Sequence, residues 1–237
     1  MMKTIFISGA ARRIGASIAT YLHQQGHHIL LHYHQSEQEA QILCQELCQK
    51  RPNSAHLIKA DLAKPDAAAL IFQDIKKTGL PLDVLVHNAS MFSQDDHDFE
   101  QMLQINVLTP YRLSRLCYPL LKKTKGSIIN ITDIHAEKPL KNYSAYIQTK
   151  AAFKLQTEAL ALEYAPEVRV NAIAPGISLW PEYNNALSAA LKTEILAKIP
   201  MGEICDPIHI AKTALFLIDN DYVNGQTIRV DGGRLLS

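Results

Sequence analysis

The sequence predicts an α/β protein, one doubly wound domain around a mostly parallel sheet. Three observations lead there. Strand-like and helix-like patterns alternate almost from end to end. The strand-like runs are continuously apolar, as strands covered by helices on both faces must be. No linker, low-complexity tract or internal repeat divides the 237 residues, a length that suits one large α/β domain.

Residues 3–8 are β-branched and aromatic and open the series, and helical periodicity follows over 13–25 until Gly26 stops it. Residues 28–33 form the second strand, and the helix over 37–50 ends at Pro52-Asn53. The third strand spans 55–60, followed by a helix near 65–77; the fourth spans 84–87, followed by a long helical region from about 97 to 123. A fifth strand at 127–132 precedes a long helix at 144–164, and a sixth strand at 168–173 precedes irregular and helical sequence over 181–198. The last helix is 207–218 and the last strand 227–230. The whole is a Rossmann-type domain over residues 1–237 with a seven-stranded sheet and a small substrate-loop region at about 176–203.

Bulk properties narrow the function. Hydrophobic residues at 47% and charged residues at 20% allow a sizeable core. A net charge of +1 gives no electrostatic case for a nucleic-acid or membrane partner. The apolar stretch at the N-terminus is too short for a signal peptide and ends at Arg12-Arg13, and no apolar run is long enough to cross a bilayer. Cys44, Cys48, Cys117 and Cys205 read as reduced packing thiols, so a cytoplasmic location is expected. The ten histidines form no HExxH pattern or Cys/His cluster, and no metal site is expected.

In a doubly wound sheet, ligands lie outside the carboxyl ends of the strands. The loops to read are therefore 9–15, 32–36, 61–62, 88–92, 132–135 and 175–181. The first, SGAARRIG, joins a strand to a helix, so amides and the helix dipole can face a pyrophosphate. Gly9 lets the chain turn, Gly15 lets the helix approach the sheet, and Arg13 and Ile14 lie between them. After the second strand stand His34, Gln35 and Ser36, with no acid before Glu37. Donors without a repelling carboxylate favour the 2′-phosphate of NADP over NAD, although a polar strand end with no ligand role fits the same residues. Asp61-Leu62 suits an adenine-edge contact or a helix cap.

Tyr146 and Lys150 form a Y-x-x-x-K pair whose side chains share one helix face. A phenol ordinarily titrates near 10, too high for efficient acid–base work near neutrality. A neighbouring ammonium and an oxidised nicotinamide are expected to lower it. Tyr143 is the competing tyrosine, but nothing basic lies four residues after it.

With Gly9–Gly15, Asn88-Ala89, Asn106, Tyr146/Lys150 and Pro175-Gly176 in order, the chain resembles the short-chain dehydrogenase/reductase family over its whole length. The resemblance implies hydride transfer between a nicotinamide and a carbonyl, alcohol or imine carbon. It casts Tyr146 as acid/base and Lys150 as the ribose-binding partner that lowers its pKa. Asn106 would hold a water relay, Asn88 would lie along the cofactor, and Ala89, Ser90, Pro175, Gly176 and Ser178 would complete the cofactor's surroundings. A homotetramer is the usual assembly.

Departures from the family pattern point to a subgroup. Arg13 replaces the middle glycine, Asn88-Ala89 continues into Ser90 and Phe92, and Asp133 stands where most members place a catalytic serine. These features, with HYHQSEQEA, PGISLWPE and DGGRLL, resemble the pteridine reductases and the dihydromonapterin-reductase-type enzymes. A pterin is flat and nitrogen-rich, so Phe92 can stack on it, Ser90 can bond its edge, and Arg13 can bridge it to the cofactor phosphates. Asp133 can pass a proton to a ring nitrogen, and Trp180 can line the pocket. The bland readings are a core aromatic for Phe92, a surface charge for Arg13 and a loop cap for Asp133. Gln35 stands where such reductases often carry Arg.

The expected reaction is therefore NADPH-dependent reduction of a dihydropterin, with dihydrofolate a further candidate. The competing readings are a carbonyl or 3-ketoacyl reductase and a non-catalytic NADP-sensing module. Asp133 argues against the first, because a carboxylate repels a developing alkoxide. The intact Tyr146/Lys150 pair argues against the second.

Overall fold

A computed structural model of the chain describes residues 2–180 and 188–237. Its elements are β1 (Thr4–Ile7), α1 (Arg13–Gln24), β2 (His28–Tyr33), α2 (Glu37–Lys50), β3 (Ala55–Lys59), α3 (Ala67–Lys77) and β4 (Val84–His87). There follow α4 (Phe99–Leu103), α5 (Thr109–Thr124), β5 (Ser127–Ile131), α6 (Ser144–Tyr164), β6 (Arg169–Pro175), α7 (Ala189–Ala197), α8 (Pro207–Asp219) and β7 (Thr227–Val230). Residues 181–187, the start of the expected irregular stretch and part of the substrate loop, lie outside the described residues.

The strands form one sheet of order β3-β2-β1-β4-β5-β6-β7. Every pairing is parallel, so the expectation of a mostly parallel sheet is met in full. The continuous apolar strands are explained by burial on both faces. Ile5 and Ile7 of β1 face a core completed by α1, α2 and α8, whereas Phe6 between them faces a core completed by α3, α5 and α6. One residue of strand thus feeds each core in turn.

The chain builds outward from β1 to β3, then returns to place β4 on the other side of β1. That reversal opens a crevice between the loops after β1 and β4. Among the described residues, no helix is long and apolar enough to cross a membrane, and no group of three metal-ligating side chains converges.

The long helix expected over 97–123 is interrupted. A short 3-10 turn at Asp96–Asp98 leads into α4, and a π-helical turn at Gln104–Leu108 separates α4 from α5. Pro110 supplies the physical reason. It has no N–H for the carbonyl four residues back, that of Asn106, and its ring crowds that carbonyl. The periodicity of the sequence survives this break, which is why it read as one helix.

Candidate active site

The loop after β1 is shaped by two glycines. Gly9 has φ +63°, and its N–H donates to His32 Nδ1 at 3.1 Å. Gly15 opens α1 where a Cβ would fall 2.1 Å from Gly9 O and 2.7 Å from Asn88 Nδ2, so only glycine fits. Ile14 packs against the core beneath. Asn88 closes the opposite side, its Nδ2 donating to Ser8 O at 2.9 Å and Gly9 O at 3.1 Å. Ser8 Oγ accepts from the N–H groups of Asn88 and Ala89. His32 is the support that sequence reasoning missed. It is buried, its Nε2 meets Ala60 O at 3.2 Å, and burial pushes its pKa down to about 4. A neutral imidazole can therefore accept from Gly9.

At the end of β2, His34 and Gln35 are exposed and Ser36 occupies the N-cap position of α2. Glu37 is engaged by Lys59 at 2.7 Å and by the Tyr33 hydroxyl at 3.3 Å. His34 Nδ1 lies 3.8 Å from Asp61 Oδ1, and that carboxylate also accepts from Ala63 N, which closes a turn and does not cap the next helix, whose N-cap position is held by Asp66. Leu62 is buried, and its carbonyl accepts from Thr109 Oγ1.

Arg13 stands at a strained point of the first loop. It adopts φ +54°, a left-handed conformation costly for a side-chain-bearing residue. Its guanidinium donates to Leu179 O at 3.3 Å and Trp180 O at 3.4 Å, tying the first loop to the one after β6. In that loop, Pro175 pairs with Val230, and a Cβ on Gly176 would fall 2.8 Å from Asp231 Cα. Ser178 is buried, and its hydroxyl donates to Cys205 O rather than into the crevice. Trp180 lies under Lys192 of α7, at 5.5 Å.

Tyr146 and Lys150 project from the first turns of α6 and are buried. The Tyr146 hydroxyl donates to Asp133 Oδ2 at 2.8 Å, while Asp133 Oδ1 accepts from His135 N at 2.8 Å. The capping role and the phenol contact thus use different oxygens of one carboxylate. Lys150 Nζ donates to Ile131 O at 3.1 Å and stands 5.8 Å from the Tyr146 ring centroid.

In the chain alone, the electrostatics run against the lowering expected from an ammonium and an oxidised nicotinamide together. Burial first, and the Asp133 charge second, hold the phenol well above its ordinary value, with the Ser90 hydroxyl acting weakly the other way. Lys150 is itself pushed down to about 8 by burial, opposed by Asp133. In the chain alone, desolvation and a carboxylate outweigh the ammonium, so Tyr146 is a neutral proton holder.

Asn106 sits in the π-helical turn, fully committed. Its Oδ1 accepts from Met91 N at 2.8 Å and Ser90 Oγ at 3.1 Å, and its Nδ2 donates to Met91 O and Thr149 Oγ1, both at 3.0 Å. The side chain clamps the loop after β4 onto α6, with all of its amide hydrogen-bonding positions in use.

Phe92 follows on that loop and is 43% exposed, so it is not a core aromatic. Its ring stacks on Tyr143 at 4.6 Å and meets Tyr146 edge-on at 4.8 Å. Tyr143, set aside in the sequence for want of a basic neighbour, thus forms one wall of the site. Its position three residues before Tyr146, at the start of a helix, was the available signal.

A family model described as enoyl-(acyl carrier protein) reductase matches residues 9–234. The chain is 30% identical to the 3-oxoacyl-[acyl-carrier-protein] reductase FabG of Staphylococcus epidermidis, over 98% of this chain and 99% of that one. It is 28% identical to pteridine reductase 1 of Leishmania tarentolae, over 98% and 96%. In three dimensions it is similar to FolM alternative dihydrofolate reductase 1 from Brucella canis complexed with NADP, at TM-score 0.90 and 26% identity, covering 99% and 94% of the two chains. The resemblance drawn from the motifs therefore holds across the whole fold, and the chain belongs to the short-chain dehydrogenase/reductase family of oxidoreductases.

Proposed function

We propose that this oxidoreductase uses NADPH to reduce a dihydropterin to the tetrahydro form, with dihydrofolate within its range. The observation that carries this reading is the 2.8 Å hydrogen bond from Tyr146 to Asp133, a carboxylate in place of the family's usual serine. A carbonyl substrate develops negative charge on oxygen, which Asp133 would oppose. A ring imine instead develops charge on nitrogen and needs a proton there, which a carboxyl–phenol pair can supply.

The cofactor cradle is supported by the space at Gly9 and Gly15, which any Cβ would fill. Gly9, Arg13, Ile14 and Gly15 would hold the pyrophosphate. His34, Gln35 and Ser36 would take the 2′-phosphate, since Glu37 is engaged by Lys59 and Tyr33. Asp61 and Leu62 would border adenine. Asn88, Ala89, Ser90, Pro175, Gly176 and Ser178 would line the nicotinamide end, where Lys150 would bind the ribose. When bound, the reduced nicotinamide supplies the hydride. The Tyr146–Asp133 pair holds the proton for the ring nitrogen, and Phe92 offers its face to the pterin, with Tyr143 behind it. Arg13, Ser90 and Trp180 border the same pocket. The relatives named as a pteridine reductase and a dihydrofolate reductase support this choice. The enzyme is further proposed to act in the cytoplasm as a homotetramer.

The FabG likeness favours a second reading, 3-oxoacyl reduction. A panel of dihydrobiopterin, dihydromonapterin, dihydrofolate and an acetoacetyl thioester, each with NADPH and NADH, separates the two. Higher kcat/KM for a dihydropterin with NADPH is expected. Preference for the thioester would transfer the enzyme to the second reading.

A further inference from the structure

We infer that His32 is a positioning residue for the cofactor: one buried imidazole ties the loop after β1 to the loop after β3, and its Nδ1 side sets how tightly NADPH is held. The inference rests on the proposed seat of the pyrophosphate over the first loop, and it is independent of which substrate is reduced.

His32 lies near the end of β2 and is 2% exposed. A polar ring so placed is costly unless each nitrogen has a partner. Both have one. Nδ1 meets Gly9 N at 3.1 Å, and Nε2 meets Ala60 O at 3.2 Å. A backbone N–H can only donate and a carbonyl can only accept, so these partners fix the tautomer. Nδ1 is bare and accepts from Gly9, and Nε2 carries the proton and donates to Ala60. Phe6 of β1 flanks the ring, with centroids 6.0 Å apart.

Gly9 bears the resulting constraint. It turns at φ +63°, with His32 on its N–H and Asn88 Nδ2 on its carbonyl at 3.1 Å. The next amide, Ala10 N, donates to the backbone carbonyl of the same histidine at 2.8 Å. Two successive amides of the first loop therefore end on one residue. At the other nitrogen, Ala60 immediately precedes Asp61 and Leu62, the proposed adenine border. A single side chain thus spans from the pyrophosphate loop to the adenine loop.

With both nitrogens spent on backbone, the ring has no polar atom left for the cofactor, so it acts through the loops it holds. Without Nδ1, the Gly9 N–H loses its acceptor and finds another only if the turn opens. An opened turn presents its amides and the start of α1 to the pyrophosphate out of place.

The two sides of the ring can be removed separately. His32→Asn puts an oxygen where Nδ1 stands and gives up the contact to Ala60. His32→Gln reaches Ala60 O and gives up the acceptor beside Gly9, and His32→Leu removes both. NADPH is titrated by its fluorescence on binding, 2′-AMP, which lacks the pyrophosphate, by calorimetry, and Tm is recorded for each protein alone. In His32→Gln and His32→Leu, Kd for NADPH should rise about tenfold, the scale for leaving a donor without its partner. In His32→Asn it should stay within about twofold of wild type, although Tm falls there too. His32→Gln should bind 2′-AMP as wild type does, and His32→Leu takes its place in the comparison if it fails to fold. Equal weakening of NADPH in His32→Asn and His32→Gln overturns the inference. So does wild-type Kd in His32→Gln, or a loss of 2′-AMP there as large as the loss of NADPH. Gly15→Ala, run beside them, reports on the seat itself. Normal NADPH binding in Gly15→Ala defeats the seat and the inference with it, whereas binding lost there but normal in His32→Gln defeats the inference alone.

Discussion

The two halves of the crevice are held in different ways. On the cofactor side, Gly9 N, Ser8 Oγ and Asn88 Nδ2 are bonded within the loops themselves, and Gly15 admits no atom beyond hydrogen. On the substrate side, Phe92, Tyr143 and Tyr146 meet through ring contacts, and one hydrogen bond joins Tyr146 to Asp133. A backbone cradle has one solution for any dinucleotide, whereas a substrate wall is assembled from side chains that can be exchanged.

The largest effect that could break this contrast falls on the cradle. Gly15→Ala puts a methyl 2.1 Å from Gly9 O, and the helix can retreat only by opening the loop. It should cost about 3 kcal/mol or more, the upper range for overpacking, and abolish NADPH binding. Thermal melting with and without NADPH checks both. A variant that binds normally would show the cradle to be soft.

Tyr146→Phe comes next and tests the substrate side alone. Turnover should fall roughly 100-fold or more, the usual scale for general acid–base help, with NADPH affinity nearly intact. Full activity would return attention to Tyr143, which stacks 4.6 Å from Phe92 in the same wall.

Acid should loosen the cradle and core more gently. His32 and His87 are held neutral by burial, at about 4 and about 3, against about 6.5 for a free imidazole. Below pH 6.5 the unfolded chain takes up protons that the folded one refuses, so the stability present above 6.5 is lost as pH falls toward 4. Tm should drop across that window, and the Tm gap between wild type and His32→Gln should narrow. A gap that stays constant with pH would remove His32 from this account.

The same contrast explains what could be read in the sequence. Continuous apolar strands, two glycines at fixed offsets and a Y-x-x-x-K pair are local signals, and they sufficed for the sheet, the crevice and the placing of Tyr146 and Lys150 on one helix. The π-helical turn was hidden because the apolar pattern runs through it and only Pro110 marks it. Arg13 reaches carbonyls 166 and 167 residues away, and no local pattern announces such a contact. The raising of the phenol in the chain alone comes from burial and Asp133, neither of which the Y-x-x-x-K spacing announces.

The proposed choice of a pterin substrate turns on Asp133. Asp133→Asn and Asp133→Ser are to be assayed with NADPH against both a dihydropterin and an acetoacetyl thioester. Loss of the carboxyl should lower dihydropterin turnover roughly 100-fold in both variants and spare NADPH affinity. The serine variant should also gain weak thioester reduction, because it restores the family's usual group beside the 2.8 Å phenol contact. Unchanged dihydropterin turnover in Asp133→Asn would contradict the proton-donor role, leave the carboxylate as a cap on His135 N, and reopen the choice of substrate.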